Sequence, residues 1–197
     1  MRHSFFALIS RMKNITRWSL MRNSAAENVQ EHSHMVAVIA HALAVIRRDI
    51  WGKPADPGLA AAAALFHDAS EIFTGDLPTP IKYFNPGIMS AYRQVESVAS
   101  RKLAAALPPG MRPEYEALLS GGDDETALLV KAADKLAAYI KCLEELRAGN
   151  LEFRLASEQT RAKLVALEMP EVRYFMEHFI PAFELTLDEL DFSFEEE

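Results

Sequence analysis

The sequence predicts an all-α fold, a single-domain helical bundle, and three observations support this prediction. Nearly every segment repeats its apolar residues at helical spacing, and the alternating pattern of a half-buried strand is absent. The 197 residues suit one domain, which at this length buries about 70% of the surface of its unfolded chain. Half of the residues are hydrophobic and a quarter are charged, as in ordinary globular proteins.

The composition also argues against several classes of protein. No apolar run approaches the ~20 residues that span a bilayer, and the apolar start over 1–9 lacks the small-residue cleavage site of a signal peptide. The single cysteine, Cys142, has no partner for an internal disulfide, so we expect a cytoplasmic protein without a membrane partner. The net charge of −7 argues against binding of a nucleic acid polymer, which needs a basic surface, but it allows a small phosphorylated ligand.

The first elements follow from apolar spacing and cap residues. Apolar residues over 5–12 predict a short amphipathic helix, and 15–26 is irregular. A long helix is predicted to begin at Asn28, which has the spacing of a capping box with Glu31. The same apolar spacing places His32 on the core-facing side of this helix. The buried stripe is predicted to contain Val29, Val36, Ile39, Leu43 and Ile46.

Six further helices are indicated by cap residues, prolines and glycines. They are predicted near 56–66, 85–107, 114–119, 123–149, 152–167 and 171–183. The alanines over 60–64 indicate close packing of the first of these helices. Asp134 borders the apolar seam of the longest helix, and its small neighbours leave room for an ion or a partner. Phe175, Phe179 and Phe183 recur at four-residue spacing, which fits either the core or a dimer surface.

The stretch 66–80 is the part of the chain around which we expect the site to be built. On a helix, His67 and Asp68 would diverge by about 100° but rise only ~1.5 Å, so both reach an ion beside that edge. Glu71 returns to the same face three residues after Asp68. Gly75 is predicted to stop the helix in the left-handed conformation, and a proline-pinned loop follows from Asp76 to Thr79.

Four side chains from three predicted helices are candidate metal ligands, namely His32, His67, Asp68 and Asp134. Mixed nitrogen and oxygen donors suit one divalent transition ion, Co, Mn, Fe, Ni or Zn, better than Mg or Ca. Four ligands on an ion that takes six leave positions for water and a substrate oxygen. Taken alone, His32 fits a core histidine and Asp134 a buried helix residue equally well. The joint pattern favours the metal, because burying two carboxylates without a cation is costly.

This ordered pattern resembles the metal motif of the HD-domain phosphohydrolase superfamily, and additional segments resemble the bacterial HD-domain 5′-deoxynucleotidases. Those segments are Arg17-Trp18-Ser19-Leu20-Met21-Arg22-Asn23, Glu27-Asn28-Val29, Glu31-His32-Ser33, 67–85, Lys131-Ala132-Ala133-Asp134 and Lys141-Cys142-Leu143-Glu144-Glu145-Leu146. The resemblance covers almost the whole chain. Arg17-Trp18 and the Gly-Asp-Leu-Pro-Thr-Pro run over 75–80 are more specific than the four metal ligands, which identify only the superfamily.

The resemblance implies a fold, a reaction and an assembly. The fold is one HD domain over 1–197, with a metal-binding core at about 28–150, C-terminal helices over 151–190 and an acidic tail over 188–197. The reaction is hydrolysis of 2′-deoxyribonucleoside 5′-monophosphates to deoxynucleoside and orthophosphate, with the divalent ion as cofactor. The assembly is a homodimer.

The resemblance also implies residue roles. Arg17 binds the phosphate with its planar fork, and Glu71 and Asp76 handle protons in an order that the sequence leaves open. Trp18 lies near the sugar, where its ring excludes a 2′-hydroxyl. The implied substrate-binding set is Arg17, Trp18, His32, Asp76, Leu77, Pro78 and Thr79. Without the neighbouring motifs, each of these residues has an ordinary structural explanation, such as a surface arginine, a rim aromatic or a turn carboxylate.

Two alternatives stay open from the sequence. The same metal site fits a hydrolase for a nucleoside triphosphate, a cyclic nucleotide or an alarmone pyrophosphate. A non-catalytic helical scaffold would keep the fold alone, although the intact candidate ligands argue against it. The native metal and the base preference are not encoded in any pattern that we identify.

Overall fold

The computed structural model describes residues 3–82 and 84–190, and this part of the chain is all-α without strands, as predicted. The α-helices are α1 (Phe5–Ile9), α2 (Val29–Val45), α3 (Pro57–Leu65), α4 (Glu71–Thr74), α5 (Thr79–Lys82), α6 (Pro86–Ala105), α7 (Arg112–Leu119), α8 (Asp124–Arg147), α9 (Arg154–Val165) and α10 (Pro170–His178). Short 3-10 turns cover Ser10–Asn14, Pro109–Met111, Leu151–Phe153 and Ile180–Glu184, and a π-helical turn over Ile46–Ile50 extends α2. The predicted acidic tail lies outside the described residues from 191 onward.

Side-chain caps begin the long helices where the sequence predicts them. Asn28 and Glu31 form both bonds of the capping box at the start of α2, at 3.0 and 3.3 Å. The other predicted caps accept from a backbone amide three residues onward, namely Asp56 at 3.0 Å, Asn85 at 2.8 Å and Asp123 at 2.7 Å. These caps satisfy amides that have no partner within the helix, so they fix where each helix begins.

Helix α2 is the centre of the main core and packs against both α3 and α8. Its predicted stripe is buried, with Val29, Val36, Ile39, Leu43 and Ile46 at most 5% exposed. The alanines of α3 at 60, 63 and 64 are fully buried, and their small side chains allow the close packing that the sequence predicts. The helices that carry the candidate site are therefore fixed to one another by apolar contact.

A second cluster of buried residues supports the stretch that carries His67 and Asp68. It consists of Phe5, Met12, Val29, Ala69, Leu103 and Leu107. Ala69 is fully buried and belongs to the segment that joins α3 to α4. Packing of this one residue against α1 and α6 anchors the two residues before it.

The chain between α3 and α4 departs from the expected helix. Residues 66–70 form a turn, in which the amides of Ala69 and Glu71 donate to carbonyls three residues earlier. Gly75 has the positive φ that the sequence predicts, but its ψ of 171° is extended rather than left-handed helical. The expected loop from Asp76 to Thr79 ends in the short helix α5, which the sequence did not predict. The turn allows His67 and Asp68 to face the same way, whereas an ideal helix would separate them by about 100°.

The C-terminal helices are shorter than predicted. The expected helix over 171–183 divides into α10 and the 3-10 turn Ile180–Glu184. Phe175 is buried and Phe183 is partly buried against the core, while Phe179 is 45% exposed. Of the three phenylalanines, two therefore contact the core and one lies at the surface. Within the described ranges, no helix combines the length and the apolar character needed to cross a membrane.

Candidate metal centre and active site

Three elements bring the candidate metal ligands together. His32 is fully buried in the first turn of α2, His67 and Asp68 lie in the turn after α3, and Asp134 lies midway along α8. Among the described residues, His32, His67 and Asp68 each offer one ligand atom, and these atoms lie within 4.8 Å of one another. Asp134 falls outside that group of three, but its Oδ1 is 3.1 Å from Nε2 of His32.

The contacts among these atoms are those of ligands around a shared point. Nε2 of His67 is 2.9 Å from Oδ2 of Asp68, yet it is buried without an aligned hydrogen bond. The same Asp68 oxygen is 3.8 Å from Nε2 of His32, and the two imidazole rings are 5.4 Å apart. A buried ring nitrogen without a partner is costly, so an ion at this point would satisfy an atom that the protein leaves unpaired. The donor set therefore fits a divalent metal.

The other nitrogen of His67 fixes which atom faces the centre. Nδ1 is 2.8 Å from the carbonyl of Ala64, and because a carbonyl can only accept, Nδ1 is the donor. With Nδ1 held as a donor, loss of the second ring proton leaves the lone pair on Nε2, the nitrogen beside Asp68. Backbone carbonyls commonly hold metal-binding histidines in this way.

The charges of the site suit a cation. Burial lowers the pKa of His67, but the adjacent Asp68 carboxylate outweighs burial and raises that pKa to about 9. Burial opposes the charge on Asp68 as well, yet His67 keeps the pKa of Asp68 below its ordinary value. For Asp134, the hydrogen bond from His32 overcomes burial and keeps the pKa below its ordinary value. Two partly buried carboxylates thus keep their negative charge, which a bound cation would balance.

Glu71 and Asp76 differ from Asp68 and Asp134 because their pKa values are raised and not lowered. Burial raises the pKa of Glu71 to about 9, and the charges of Asp68 and Asp76 add to the rise. Burial raises the pKa of Asp76 too, while Arg17 opposes that rise. The Glu71 side chain is 7% exposed, and its Oε2 is buried without a partner. The structure therefore places two further carboxyl groups where a proton can be held near the candidate ligands.

The irregular segment 15–26 brings Arg17 and Trp18 to the same region. The positive charge of Arg17 lowers the pKa values of Glu71, Asp76 and Asp134. Nη1 of Arg17 donates to Glu27 at 3.1 Å, whereas Nε of Arg17 is buried without a partner. That free donor leaves the guanidinium able to bind an anion.

Trp18 is held in an unusual conformation. Its φ of 56° lies in the left-handed region that non-glycine residues rarely adopt. Its indole N–H donates to Glu27 at 3.1 Å, and its ring packs 5.3 Å from that of Phe153. The strained backbone is therefore fixed from two sides, as is common at functional sites.

The remaining predicted substrate residues follow α4. Asp76 lies near the backbone amide of Trp18, which lowers its pKa and links this loop to the irregular segment. Leu77 and Pro78 are partly buried between α4 and α5. Thr79 begins α5, but its side chain lies outside the described part of the structure.

Three residues at or behind the site were missed from the sequence. Glu27 bonds both Arg17 and Trp18, although the sequence showed it only as part of the Glu27-Asn28-Val29 segment. Lys82 opposes the pKa rise of Glu71 and pairs with Glu96 at 2.9 Å. Glu145 is 1% exposed and accepts from the amides of the irregular segment. No spacing signal identifies Lys82, and the helical spacing of Glu145 with Lys141 does not reveal its contact with the irregular segment, which is distant in sequence.

Solved structures with the same fold define the class of this protein. An HD-domain phosphohydrolase from Listeria innocua matches with a TM-score of 0.78 at 25% identity, covering 92% of this chain and 88% of that one. The cyanophage S-2L HD phosphohydrolase DatZ, solved with dA and one catalytic Zn²⁺ ion, matches with a TM-score of 0.62 at 20% identity, covering 92% of this chain and 99% of that one. The all-α fold and the ordered His, His-Asp and Asp residues are those of an HD-domain phosphohydrolase.

The sequence comparisons narrow the class to a family. The model of the family described as 5′-deoxynucleotidase YfbR-like matches residues 4–183. The 5′-deoxynucleotidases YfbR of Shigella dysenteriae and Escherichia coli are each 50% identical over 188 residues, covering 94% of both chains. The chain belongs to the YfbR-like 5′-deoxynucleotidase family.

Proposed function

We propose that this protein is a metal-dependent 5′-deoxynucleotidase, which removes the phosphate from 2′-deoxyribonucleoside 5′-monophosphates. The observation that carries the proposal is the convergence of His32, His67 and Asp68, whose ligand atoms lie within 4.8 Å of one another. Membership of a family whose curated members at 50% identity are 5′-deoxynucleotidases supports the same reaction.

The metal would be held by His32, His67, Asp68 and Asp134. When bound, a divalent ion supplies an activated water and draws negative charge from a phosphoryl oxygen. The mixed nitrogen and oxygen donors favour Co, Mn, Fe, Ni or Zn over Mg and Ca. His67 is oriented for this role by the carbonyl of Ala64, and His32 would exchange its hydrogen bond to Asp134 for a shared ion.

Arg17 would bind and orient the phosphate. Its guanidinium is only 13% exposed, so an anion that reaches it is partly shielded from water and bound more strongly. One buried N–H group is unpaired and available to such an anion. Phosphoryl transfer needs mainly this kind of alignment and charge stabilisation.

Glu71 and Asp76 would move the protons. One carboxyl orients or deprotonates the attacking water, and the other serves the leaving 5′-oxygen or contacts the sugar. Burial and neighbouring charges raise both pKa values, so either group is suited to hold a proton that a solvated carboxyl would lose. Comparing the pH–rate profiles of Glu71→Gln and Asp76→Asn would assign the two roles. Loss of the general base should remove the acidic limb of the profile, and loss of the general acid should remove the alkaline limb.

Trp18 would select the sugar. Its ring is fixed between Glu27 and Phe153, and its backbone amide lies near Asp76, at the start of the proposed nucleoside-side loop of Asp76, Leu77, Pro78 and Thr79. A rigid ring at the sugar would exclude a 2′-hydroxyl by steric conflict, which a mobile side chain would not do.

The decisive experiment is phosphate release from dAMP and AMP, measured first in EDTA and then with Mn or Co added. We expect metal-dependent release from dAMP and little release from AMP. The proposal would be contradicted if neither dAMP nor AMP released phosphate. It would also be contradicted if orthophosphate, pyrophosphate or tripolyphosphate appeared only from nucleotides with longer phosphate chains. A chain that binds no divalent ion even after reconstitution would indicate a helical scaffold instead.

We also propose that the protein acts as a homodimer in the cytoplasm. The exposed ring of Phe179, beside buried Phe175, offers apolar area at the C-terminal end of the bundle, and the single Cys142 suits a reducing compartment. Light scattering on the purified protein tests the dimer, and Phe179→Ser should shift the mass toward the monomer. A monomer mass for the wild-type protein would contradict the proposed dimer.

A further inference from the structure

We propose that Glu27 is a positioning residue, whose single carboxylate fixes the phosphate-binding Arg17 and the sugar-selecting Trp18 to one another. The inference rests on the function proposed above and adds a residue to it. Oε2 of Glu27 accepts from Nη1 of Arg17 and from Nε1 of Trp18, each at 3.1 Å. One oxygen atom thus joins two side chains that would otherwise rotate independently.

The backbone around Glu27 makes this carboxylate a rigid anchor. The amide of Arg17 donates to the carbonyl of Glu27 at 3.0 Å, and the amide of Val29 donates to the carbonyl of Ile15 at 2.9 Å. These bonds flank the antiparallel bridge between Thr16 and Asn28. Glu27 directly precedes the cap of α2, so the anchor is tied to the helix that carries His32.

The second oxygen of Glu27 faces the candidate metal centre. Oε1 lies 3.9 Å from Nδ1 of His32, a buried nitrogen that lacks a hydrogen-bond partner. Nε2 of the same ring is 3.1 Å from Oδ1 of Asp134, and because a carboxylate can only accept, Nε2 is the donor in this structure. Glu27 thereby fixes Arg17 and Trp18 beside the buried ring of His32 without a hydrogen bond to that ring.

Other parts of the structure do not duplicate this role. The side chain of Glu27 is 16% exposed, so its bonds to Arg17 and Trp18 are partly protected from competing water. The ring of Trp18 also packs on Phe153, but that contact does not fix rotation of the ring as a directed N–H bond does. Loss of Glu27 should therefore loosen both side chains without unfolding the bundle.

Two variants of Glu27 and one control test its bonds to Arg17 and Trp18. In Glu27→Gln, the amide oxygen can still accept from Trp18, but the charge that pairs with Arg17 is lost. In Glu27→Ala, both bonds are lost. Glu158→Gln, at an exposed site on α9, removes the same charge elsewhere and is the matched control.

We expect kcat/KM for dAMP to fall by about 10- to 100-fold in Glu27→Gln and further in Glu27→Ala, as the loss of a charged hydrogen bond predicts. The dAMP-to-AMP preference should survive in Glu27→Gln and narrow in Glu27→Ala. Because Glu27 acts through Arg17, the double variant with Arg17→Ala should be little slower than Arg17→Ala alone. Metal content and melting temperature of both Glu27 variants should stay at wild-type values. The control Glu158→Gln should keep the wild-type kcat/KM.

A readout without turnover separates this inference from the proposed function. The chain has two tryptophans, Trp18 and Trp51, and Trp18→Phe assigns their indole N–H signals in a ¹H–¹⁵N spectrum. Glu27→Ala should shift the Trp18 signal and leave that of Trp51 in place. An unmoved signal, an unchanged dAMP rate or additive losses in the double variant would each overturn the positioning role. If the wild type is inactive on dAMP but Glu27→Ala still shifts the Trp18 signal, the proposed 5′-deoxynucleotidase activity would be overturned and the positioning role of Glu27 would stand.

Discussion

At the scale of single residues, the site is defined by polar atoms that the fold leaves unpaired. Nε2 of His67, Nδ1 of His32 and Nε of Arg17 are all buried without a hydrogen-bond partner. Proteins rarely leave such atoms unpaired, because each one loses its bonds to water and gains nothing in return. Nε2 of His67 lies beside Asp68, where a cation would complete its bonding, and an anionic ligand would complete the bonding of Arg17.

The role of Trp18 is tested at this scale. Replacing Trp18 with Ala removes the ring that we place at the sugar, so the dAMP-to-AMP ratio of kcat/KM should fall by roughly tenfold or more, with AMP gaining relative to dAMP. Initial rates on both substrates measure the ratio. Trp51→Ala is the control, because Trp51 is 42% exposed beyond the end of α2. A ratio that is equal in wild type and Trp18→Ala would exclude steric selection by this ring.

At the scale of elements, the turn and loop between α3 and α5 decide where the chemistry lies. Ala69 anchors the turn by full burial, and Gly75 redirects the chain after α4. Gly75 combines φ of 69° with ψ of 171°, a backbone region that is almost exclusive to glycine. This conformation sends Asp76 back toward Trp18 instead of continuing the helix.

Gly75→Ala should therefore destabilise the protein by about 1 to 3 kcal/mol and displace Asp76. A Cβ added at Gly75 meets no atom within 4 Å, so the cost would come from backbone strain and not from collision. Gly110→Ala is a matched control, because that position also has open space around it but no positive φ. Urea denaturation and dAMP turnover measure the two effects. Equal stability of both variants would show that the loop relaxes without strain.

The irregular segment 15–26 is held by the end of α8. Glu145 accepts from the amides of Ser24 and Ala25 at 2.8 and 3.2 Å and is paired with Lys141. Lys141 in turn donates to the carbonyl of Ala25 at 2.6 Å. The helix that supplies Asp134 thus also fixes the segment that supplies Arg17.

Glu145→Gln should cost about 3 kcal/mol, because it leaves Lys141 buried without its charge partner. Burial raises the pKa of Glu145, but Lys141 and the two amides outweigh burial and lower that pKa from 4.5 to about 2. This stabilisation is complete above pH 4.5 and is lost as the pH falls toward 2, so the difference between wild type and variant should shrink over that window. Denaturation at pH 7 and pH 3 measures it, with exposed Glu144→Gln as the control. A difference that grows in acid would contradict the assignment.

At the scale of the whole molecule, the candidate site joins elements that are far apart in sequence. His32 belongs to α2, His67 and Asp68 to the turn after α3, and Asp134 to α8. A ligand that binds only the folded chain stabilises it by mass action. The ion should therefore stabilise the entire bundle and not one helix.

Manganese or cobalt at 100 times its dissociation constant should stabilise the wild type by about 2.7 kcal/mol, which corresponds to a melting shift of roughly 5 to 10 °C. EDTA should reverse the shift. His67→Ala should bind the ion weakly, show a smaller shift and lose turnover, because it removes one of the converging donors. Calorimetry with metal analysis measures both effects. Identical shifts in wild type and His67→Ala would place the ion elsewhere.

The sequence by itself determined the all-α class, the helix starts and the buried stripe of α2. These features depend on local spacing and on caps that act within three or four residues, as for Asn28 with Glu31 and Asp123 with Thr126. His32 was identified as core-facing because it occupies an aliphatic position in that spacing. The HD-domain assignment, which the comparisons confirm, came from motifs that each lie within a short segment.

Only the tertiary structure decided the contacts between segments. The turn over 66–70 contains Ala69, which packs against residues distant in sequence, and the extended ψ of Gly75 directs the chain to Asp76. The contacts of Glu27 with Arg17 and Trp18, and those of Glu145 with Ser24 and Ala25, span 9 to 121 residues of sequence. Local spacing carries no information on such partners, since a hydrogen bond depends on distance in space and not along the chain.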